Sequence, residues 1–247
     1  MKRVFLAGAT GAVGRRMLPL LREAGYEVTG TTRVASRAEE LRAAGITPAM
    51  VDVFDAAALG AAMLAARPDV VVHQLTDLPY ALKPELMAEG LMRNAHVRIE
   101  GTRNLVDAAL RAGVRRFIAQ SIAFVYAPGR EPHDESDPLI SPAEEPWRTT
   151  MEGVVALERL TTSSAGFDGL VLRYGMFYGS GTGADAPPGK PAVHVDAAAQ
   201  AAMLAIGRGA PGIYNIAEDD GTVSIARARR ELAWDPGFKP NHPRPAK

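Results

Sequence analysis

Short runs of β-branched and apolar residues alternate, through the first half of the chain, with longer segments whose apolar residues recur at helical spacing. This alternation predicts strands that each lead into a helix. The predicted strands are 4–7, 26–31, 47–53, 69–74 and 116–120, and the predicted helices are 13–24, 36–44, 56–66 and 85–112. Such units connect through right-handed crossovers, so the pattern predicts a parallel sheet with helices on both faces.

The second half of the chain is less regular and richer in glycine and proline. Its patterns predict loops over 127–146 and 179–191, helices over 144–164 and 196–206, and strands over 169–173 and 212–216. The chain as a whole therefore predicts an α/β fold built on a doubly wound parallel sheet.

Composition and charge narrow the class of protein. Of the 247 residues, 47% are hydrophobic and 23% are charged, which is ordinary for a soluble globular protein. Basic and acidic residues number 28 each, so we expect no nucleic-acid partner, because proteins that bind phosphate backbones carry a basic excess. No stretch approaches ~20 apolar residues without a charge, so no membrane span is expected. Cysteine is absent, which excludes disulfides and thiol chemistry and suits a cytoplasmic location.

The strongest chemical signal is a glycine-rich segment between the first predicted strand and the first predicted helix. It reads Gly8-Ala9-Thr10-Gly11-Ala12-Val13-Gly14, with G-x-x-G-x-x-G spacing. Glycines allow a tight turn and a close approach to a pyrophosphate, and the helix N-terminus presents unpaired N–H groups. We therefore predict that a dinucleotide binds at Gly8, Thr10, Gly11, Ala12, Val13 and Gly14. The alternative is a tight turn without a ligand.

The end of the second predicted strand indicates which dinucleotide binds. It reads Thr31-Thr32-Arg33, with Arg37 shortly afterwards and no acidic residue before Glu39. NAD sites place an acidic residue near the adenosine ribose, whereas NADP sites offer arginine. This favours NADP, with Arg33 on the 2′-phosphate and NAD as the alternative cofactor. Arg33 could instead simply open an exposed loop.

The end of the third predicted strand supplies a further candidate contact. Asp52 can accept a hydrogen bond from the adenine amine, with Val53 beside it. The alternative is that Asp52 caps the helix that follows.

Further motifs extend along nearly the whole chain. They lie at 72–75, 101–105, 121–126, 172–175, 177–179, 193–196, 212–216 and 229–234. With the glycine segment, they resemble an extended short-chain dehydrogenase/reductase of the NAD-dependent epimerase/dehydratase family. The resemblance implies that Gln74, Leu75, Tyr174 and Gly175 contact the cofactor. It also implies a homodimer packed through the helices at 92–111 and 144–163.

The same resemblance implies the domain organisation. Residues 1–178, completed by 192–217, would form a Rossmann-type dinucleotide-binding domain. Residues 179–247 would form a small, reduced C-terminal substrate lobe, partly interleaved with it. Family members usually carry several tens of residues where this chain has only 180–192 and 217–225.

The family's catalytic Tyr-x-x-x-Lys pair is missing from this chain. Counting back from Glu158, Thr150 stands at the tyrosine position and Val154 at the lysine position. The usual Ser or Thr position holds Ile122, and Ser121 stands one residue earlier. An ordinary tyrosine-dependent mechanism is therefore not expected.

Three residues are candidates for replacement chemistry. His73 ends the fourth predicted strand and has a side chain of near-neutral pKa, although packing or hydrogen bonding beneath the cofactor is its alternative role. Ser121 can donate to a substrate carbonyl or bond the backbone at a strand end, and Thr150 occupies the tyrosine position. No metal site is expected, because the acidic His133-Asp134-Glu135 segment has no second cluster at ligand spacing.

The sequence therefore predicts an NAD(P)-binding oxidoreductase or an epimerase/dehydratase-like enzyme with a non-standard proton relay. Its partner would be a small carbonyl, alcohol or sugar-like substrate. Two alternatives stay open: a non-catalytic NADP-binding regulator or scaffold, and an enzyme on the same fold that catalyses a redox-neutral step.

Overall fold

Nine strands and seven helices make up the computed structural model, which describes residues 2–240. The strands are β1 (Arg3–Ala7), β2 (Glu27–Thr32), β3 (Thr47–Met50), β4 (Val70–His73), β5 (Arg116–Ile122), β6 (Asp168–Tyr174), β7 (Met176–Tyr178), β8 (Ala192–His194) and β9 (Gly212–Ile216). The helices are α1 (Ala12–Glu23), α2 (Ala35–Ala43), α3 (Ala56–Ala66), α4 (Met87–His96), α5 (Thr102–Arg111), α6 (Arg148–Thr162) and α7 (Val195–Ala205). Within the described residues, no helix is long and apolar enough to cross a bilayer.

Seven of the strands form one parallel sheet in the order β3-β2-β1-β4-β5-β6-β9. The remaining two, β7 and β8, pair with each other in a small parallel ribbon. The chain runs outward from β1 to β3 and then crosses to β4 on the other side of β1. This reversal opens a crevice beyond the carboxyl ends of β1 and β4, where doubly wound sheets bind their ligands.

Each face of the sheet is covered by helices, as the alternation of strands and helices predicts. Successive residues of a strand point to opposite faces. In β1, Leu6 therefore joins the core beneath α1 and α7 with Met17, whereas Phe5 joins the core beneath α3, α5 and α6 with Leu105 and Phe117. All five side chains are fully buried, and each contributes about 1.5–3 kcal/mol of burial free energy. The doubly wound α/β prediction is confirmed.

Two predicted helix boundaries differ from the structure. The helix expected from residue 144 begins only at Arg148, because Pro146 offers no N–H and restricts the residue before it. The helix expected over 85–112 follows one helical path from Met87 to Arg111, and a π-helical turn at Val97–Gly101 joins α4 to α5. That turn accommodates an extra residue, and such turns often occur at functional sites.

A buried network fastens the second half of the sheet to α6. Ser121 of β5 donates to Glu158 of α6 at 2.7 Å, and Arg173 of β6 binds both oxygens of the same carboxylate at 2.9 and 2.7 Å. Arg173 also donates to the Tyr126 hydroxyl at 2.9 Å, which donates to Asn215 of β9 at 2.6 Å. Burial alone would lower the pKa of Arg173, but Glu158 and Tyr126 raise it above its usual value.

The contact that Ser121 makes differs from the two predicted from the sequence, which were a substrate carbonyl and the backbone at a strand end. Its side chain is fully buried, and its hydroxyl is bonded to the Glu158 carboxylate rather than to backbone or open solvent. A substrate carbonyl cannot reach that hydroxyl without breaking the network. The structure gives Ser121 a contact with Glu158, and its catalytic role stays a prediction.

Removing the carboxylate should destabilise the fold. Glu158→Gln is expected to lower the free energy of unfolding by about 3–5 kcal/mol, because it leaves a buried guanidinium without its counter-charge. Urea unfolding monitored by circular dichroism measures this loss. Glu152→Gln, on the exposed face of the same helix, is the matched control and should change stability by less than about 0.5 kcal/mol. Similar losses in the two variants would contradict the role given to the network.

Candidate functional site

The glycine segment forms a closed turn between β1 and α1. Gly8 adopts a φ of +87°, which favours glycine, and its N–H donates to the Thr31 hydroxyl at 3.1 Å. The Gly11 N–H donates to the Gly8 carbonyl at 3.0 Å. A Cβ on Gly14 would lie 2.2 Å from that same carbonyl oxygen, so no other residue fits there. Gly8 and Gly14 thus bring the start of α1 directly against the turn.

The N-terminus of α1 has the features of an anion site. Its N-cap, Gly11, is extended and supplies no side-chain cap, and the first turn of the helix contains no acidic residue. The first N–H groups of a helix have no partner within it, and the helix dipole adds positive partial charge there. The predicted residues Ala12 and Val13 open this helix, with Val13 buried in the core. The turn therefore suits a diphosphate.

A cavity of about 180 Å³ adjoins this turn at the carboxyl ends of β1, β2 and β3. It brings together six residues predicted from the sequence to bind cofactor: Thr10, Gly11, Arg33, Asp52, Val53 and Leu75. Arg37 lines it as well. Sequence reasoning missed Phe54, whose ring lies at the cavity and stacks on His96 with centroids 4.4 Å apart. An aromatic residue directly after the Asp52-Val53 pair was the available signal.

Arg33 and Asp52 face each other across this cavity. Arg33 Nη1 lies 3.5 Å from Asp52 Oδ2, and both side chains are largely exposed. Exposed pairs contribute little to stability, so Arg33 can turn to an incoming phosphate at small cost. The helix-cap alternative for Asp52 is wrong. Asp55 caps α3 through the Ala58 N–H, while Asp52 accepts from the Phe54 N–H.

Three residues expected at the cofactor do not line this cavity, and their contact with the cofactor stays a prediction. Tyr174 is fully buried and its hydroxyl donates to the Ala198 carbonyl at 3.3 Å. Gly175 is buried against Ala192, where a Cβ would lie 2.6 Å from the carbonyl carbon. The Gln74 side chain is buried, and its backbone carbonyl lies against the glycine turn, where a Cβ on Gly8 would be 2.7 Å from the oxygen. The resemblance placed them at the cofactor, but the packing of α7 and β8 encloses Tyr174 and Gly175.

His73 is hydrogen-bonded on both ring nitrogens. Nδ1 accepts from the Leu75 N–H at 3.2 Å, so Nε2 carries the hydrogen and donates to the Thr102 hydroxyl at 3.0 Å. Burial lowers the pKa of His73 to about 3, and the charge of Arg98 acts in the same direction. The ring is therefore neutral near pH 7 and makes the packing contacts given as its alternative role, while its part in a proton relay stays a prediction.

The two positions at which the family's catalytic pair was expected, Thr150 and Val154, lie on α6. Val154 and Met151 of α6 are fully buried and cluster with Ile122 and Val125, which end and follow β5. Thr150, one turn before Val154, is half-buried beside them. Of the three catalytic candidates only Thr150 forms no hydrogen bond to another side chain within residues 2–240, and its hydroxyl is a weak acid. The family resemblance implies a tyrosine and a lysine on this helix, and the structure has a half-buried threonine and a fully buried valine there.

Arg98 is a buried charge that sequence reasoning missed. It lies in the π-helical turn and packs over Gly153, where a Cβ would be 3.2 Å from Arg98 Cδ. Burial lowers the pKa of Arg98 to about 10, an effect that the charge of Glu158 partly offsets, so Arg98 stays protonated. The sequence did contain a signal for this burial. Positions 94, 98, 101 and 105 share one buried face of the helix, and Arg98 is the cation on that face.

Acidification should reveal the neutral, buried His73. The pKa of the folded state, about 3, lies below the ordinary value of 6.5, so the unfolded chain takes up the proton first. Stability is therefore complete above about pH 6.5 and falls as the pH drops toward 3. Between about pH 7 and pH 5 the natural protein is expected to lose about 2 kcal/mol more than His73→Gln, measured by urea unfolding at each pH. Equal losses of unfolding free energy in the natural protein and in His73→Gln would show that His73 is not held neutral.

The chain resembles known proteins in sequence as well as in structure. The model of the NAD dependent epimerase/dehydratase family matches residues 4–192. The "3-diazoavenalumate denitrifying reductase" of Streptomyces sp. is 41% identical over 239 residues, which cover 88% of this chain and 76% of that protein.

Solved structures give the same fold. UDP-glucose 4-epimerase from Thermotoga maritima, solved with UDP-glucose, has a TM-score of 0.76 at 19% identity, covering 96% of this chain and 94% of that chain. UDP-glucose 4-epimerase of Thermus thermophilus, solved with NAD, has a TM-score of 0.70 at 22% identity, covering 99% and 88%. The expected homodimer stays a prediction, on helices whose exposed side chains include Met92, Leu110 and Val155. The glycine turn, the sheet order and the family match agree, and the chain belongs to the NAD-dependent epimerase/dehydratase family.

Proposed function

We propose that this protein is a reductase that uses NADPH to remove nitrogen from a small carboxylic acid bearing a diazo group. The relative from Streptomyces, named for a reaction of this kind, is 41% identical. The observation that carries the proposal is the buried apolar cluster of Ile122, Val125, Met151 and Val154, which includes the position where the family resemblance implies a lysine. A reaction that needs a proton donor there has none in these four side chains.

The cofactor site is fitted for a dinucleotide by its backbone. Gly8 and Gly14 admit no Cβ, since one would lie 2.7 Å from the Gln74 carbonyl oxygen and the other 2.2 Å from that of Gly8. The uncapped start of α1 at Gly11 would hold the phosphates, and the cavity with Asp52 and Phe54 would hold the adenosine. The bound, reduced nicotinamide would supply a hydride.

Diazo chemistry explains why the proton donor is dispensable. Reducing a carbonyl produces an alkoxide that must be protonated, which is the task of an acid–base pair. A diazonium cation that gains one hydride becomes a neutral diazene, R–N=N–H. The diazene loses dinitrogen and keeps the hydrogen on carbon as R–H. Atoms and charge balance with no added proton, so Val154 in place of a charged residue is compatible with turnover.

The choice of NADPH is supported by the cations at the adenosine cavity. Arg33 and Arg37 both line it, and the first acidic residue after β2, Glu39, is paired with Arg42 instead. Guanidinium groups bind phosphate through charge-assisted hydrogen bonds. Two carboxylates line the cavity, Asp52 and Asp77, and Asp52 lies beside Arg33 and helps to orient it.

Turnover tests the proposal directly. The protein is mixed with NADPH and a carboxyphenyl diazonium salt, and dinitrogen release is measured together with deuterium transfer from cofactor labelled at the hydride-donating carbon. We expect stoichiometric dinitrogen and a deuterated arene. Gly11→Asp should abolish both, because its carboxylate would stand where the phosphates bind.

The matched control is Gly207→Asp, at an exposed glycine where a Cβ meets nothing within 4 Å. It should retain activity, and it corrects for uncatalysed reduction of the salt. Cofactor binding without dinitrogen release would reject the reductase and favour the regulator. Product formation from another substrate with no net change in the cofactor would favour the redox-neutral enzyme.

Arg33→Ala should discriminate between the two cofactors. Loss of a charge-assisted contact to the 2′-phosphate is expected to weaken NADPH binding about tenfold to a hundredfold and to leave NADH binding almost unchanged. Isothermal titration calorimetry measures both affinities. Arg42→Ala, an exposed arginine on the same side of the sheet that pairs with Glu39, is the control. Equal weakening of NADPH and NADH would refute the 2′-phosphate contact.

A further inference from the structure

A second cleft, of about 400 Å³, lies beyond the carboxyl end of β5 and shares no residue with the cavity assigned to the adenosine. Its floor is the segment Ala123-Phe124, which directly follows β5. Ligands of doubly wound sheets bind beyond the carboxyl ends of the strands. The cleft is therefore placed to hold the group that reacts with the cofactor.

One wall of the cleft is a stacked pair of rings. His133 lies parallel to Tyr126, with centroids 5.0 Å apart and planes 4° apart. Asp137 holds the His133 ring through Nδ1 at 2.9 Å, and Arg173 and Asn215 hold the Tyr126 hydroxyl. Both rings line the cleft, together with Phe124. The Arg173 guanidinium also lies over the Tyr126 ring, 5.1 Å from its centroid, so the stacked pair is mostly buried and offers the cleft the exposed margins of its rings beside Phe124. Such fixed apolar edges suit a planar, conjugated body.

The mouth of the cleft carries an ammonium group. Lys190 lines it and is exposed, and within residues 2–240 no carboxylate lies within 4 Å of its amine. The backbone of the next residue is fixed by a hydrogen bond, in which the Pro191 carbonyl accepts from the Met176 N–H at 2.8 Å. Glu131 lines the same cleft and is exposed. The cleft thus offers an apolar body, one free cation and one nearby acidic group.

We propose that this cleft selects planar aromatic or conjugated carboxylates, with Lys190 binding the carboxylate and the Tyr126–His133 pair packing on the conjugated body. The inference rests on the proposed function, since it names the class of acid that would carry the diazo group. Lys190 is then the residue that determines specificity for an acid over a neutral analogue. Glu131, of the same sign as the ligand, opposes binding.

The test measures binding and needs no turnover. Cinnamate and its methyl ester are titrated into the full-length protein, with saturating oxidised cofactor, by isothermal titration calorimetry. Lys190→Ala is expected to weaken cinnamate about tenfold and to leave the ester unchanged. Lys190→Arg should restore binding to near the natural value. Glu131→Gln should tighten it.

Lys83→Ala, at an exposed lysine outside the cleft, is the matched control and should bind cinnamate as the natural protein does. Equal weakening of acid and ester by Lys190→Ala, or no cinnamate binding by the natural protein, would overturn the inference. Lysine-dependent cinnamate binding without dinitrogen release would keep this inference and reject the reductase. Dinitrogen release that is equal for acidic and neutral diazonium compounds would keep the reductase and reject this inference.

Discussion

The contact between Gly14 and the Gly8 carbonyl sets the geometry on which the nucleotide site depends. With no room for a Cβ between them, the start of α1 lies directly behind the turn. A side chain at either position would push the helix away and withdraw its N–H groups from the crevice. The reversal of strand order between β1 and β4 supplies the space for a ligand, whereas the glycine contact supplies the positive partial charge. Affinity for a diphosphate requires both.

Burial decides what the polar side chains at the strand ends can do. A polar residue at the carboxyl end of a central strand can face a ligand or bond to the helix packed behind it. His73 and Ser121 both bond to helices, at Thr102 of α5 and Glu158 of α6. When such a group has made its hydrogen bonds in the water-free interior, turning it toward a substrate breaks them and lowers the stability of the fold. Residue type alone is therefore a poor guide to catalysis here.

Local patterns made the nucleotide half predictable. The spacing of strands and helices, the glycine turn and the position of Arg33 can all be recognised from short stretches of sequence. The residues that these stretches indicate line one cavity in the structure. Contacts between distant segments were not predictable. Ser121 meets Glu158 across 37 residues, and Tyr126 meets Asn215 across 89. No periodicity encodes such partners, which is why Ser121 looked available as a donor.

The same limit applies to the second cleft and to Arg98. The walls of the cleft come from the segment after β5, the 127–140 loop, Lys190-Pro191 and the turn near Thr222, which only the folded sheet brings together. Arg98 reads as one more helical cation until the structure places it over Gly153. These residues lie far apart in the sequence, and only the topology of the folded chain makes them neighbours.

The buried apolar cluster of Ile122, Val125, Met151 and Val154 would have a role in the proposed reaction beyond lacking an acid. A diazonium group that loses nitrogen before hydride arrives leaves a carbocation that water captures at once. Excluding water from the reacting centre suppresses that side reaction. Met151 and Val154, fully buried beside Ile122, make the interior next to the end of β5 free of water-binding side chains. A valine at the lysine position would thus remove a charge that the proposed reduction does not use, and the apolar cluster around it would help to keep out the water that competes with hydride.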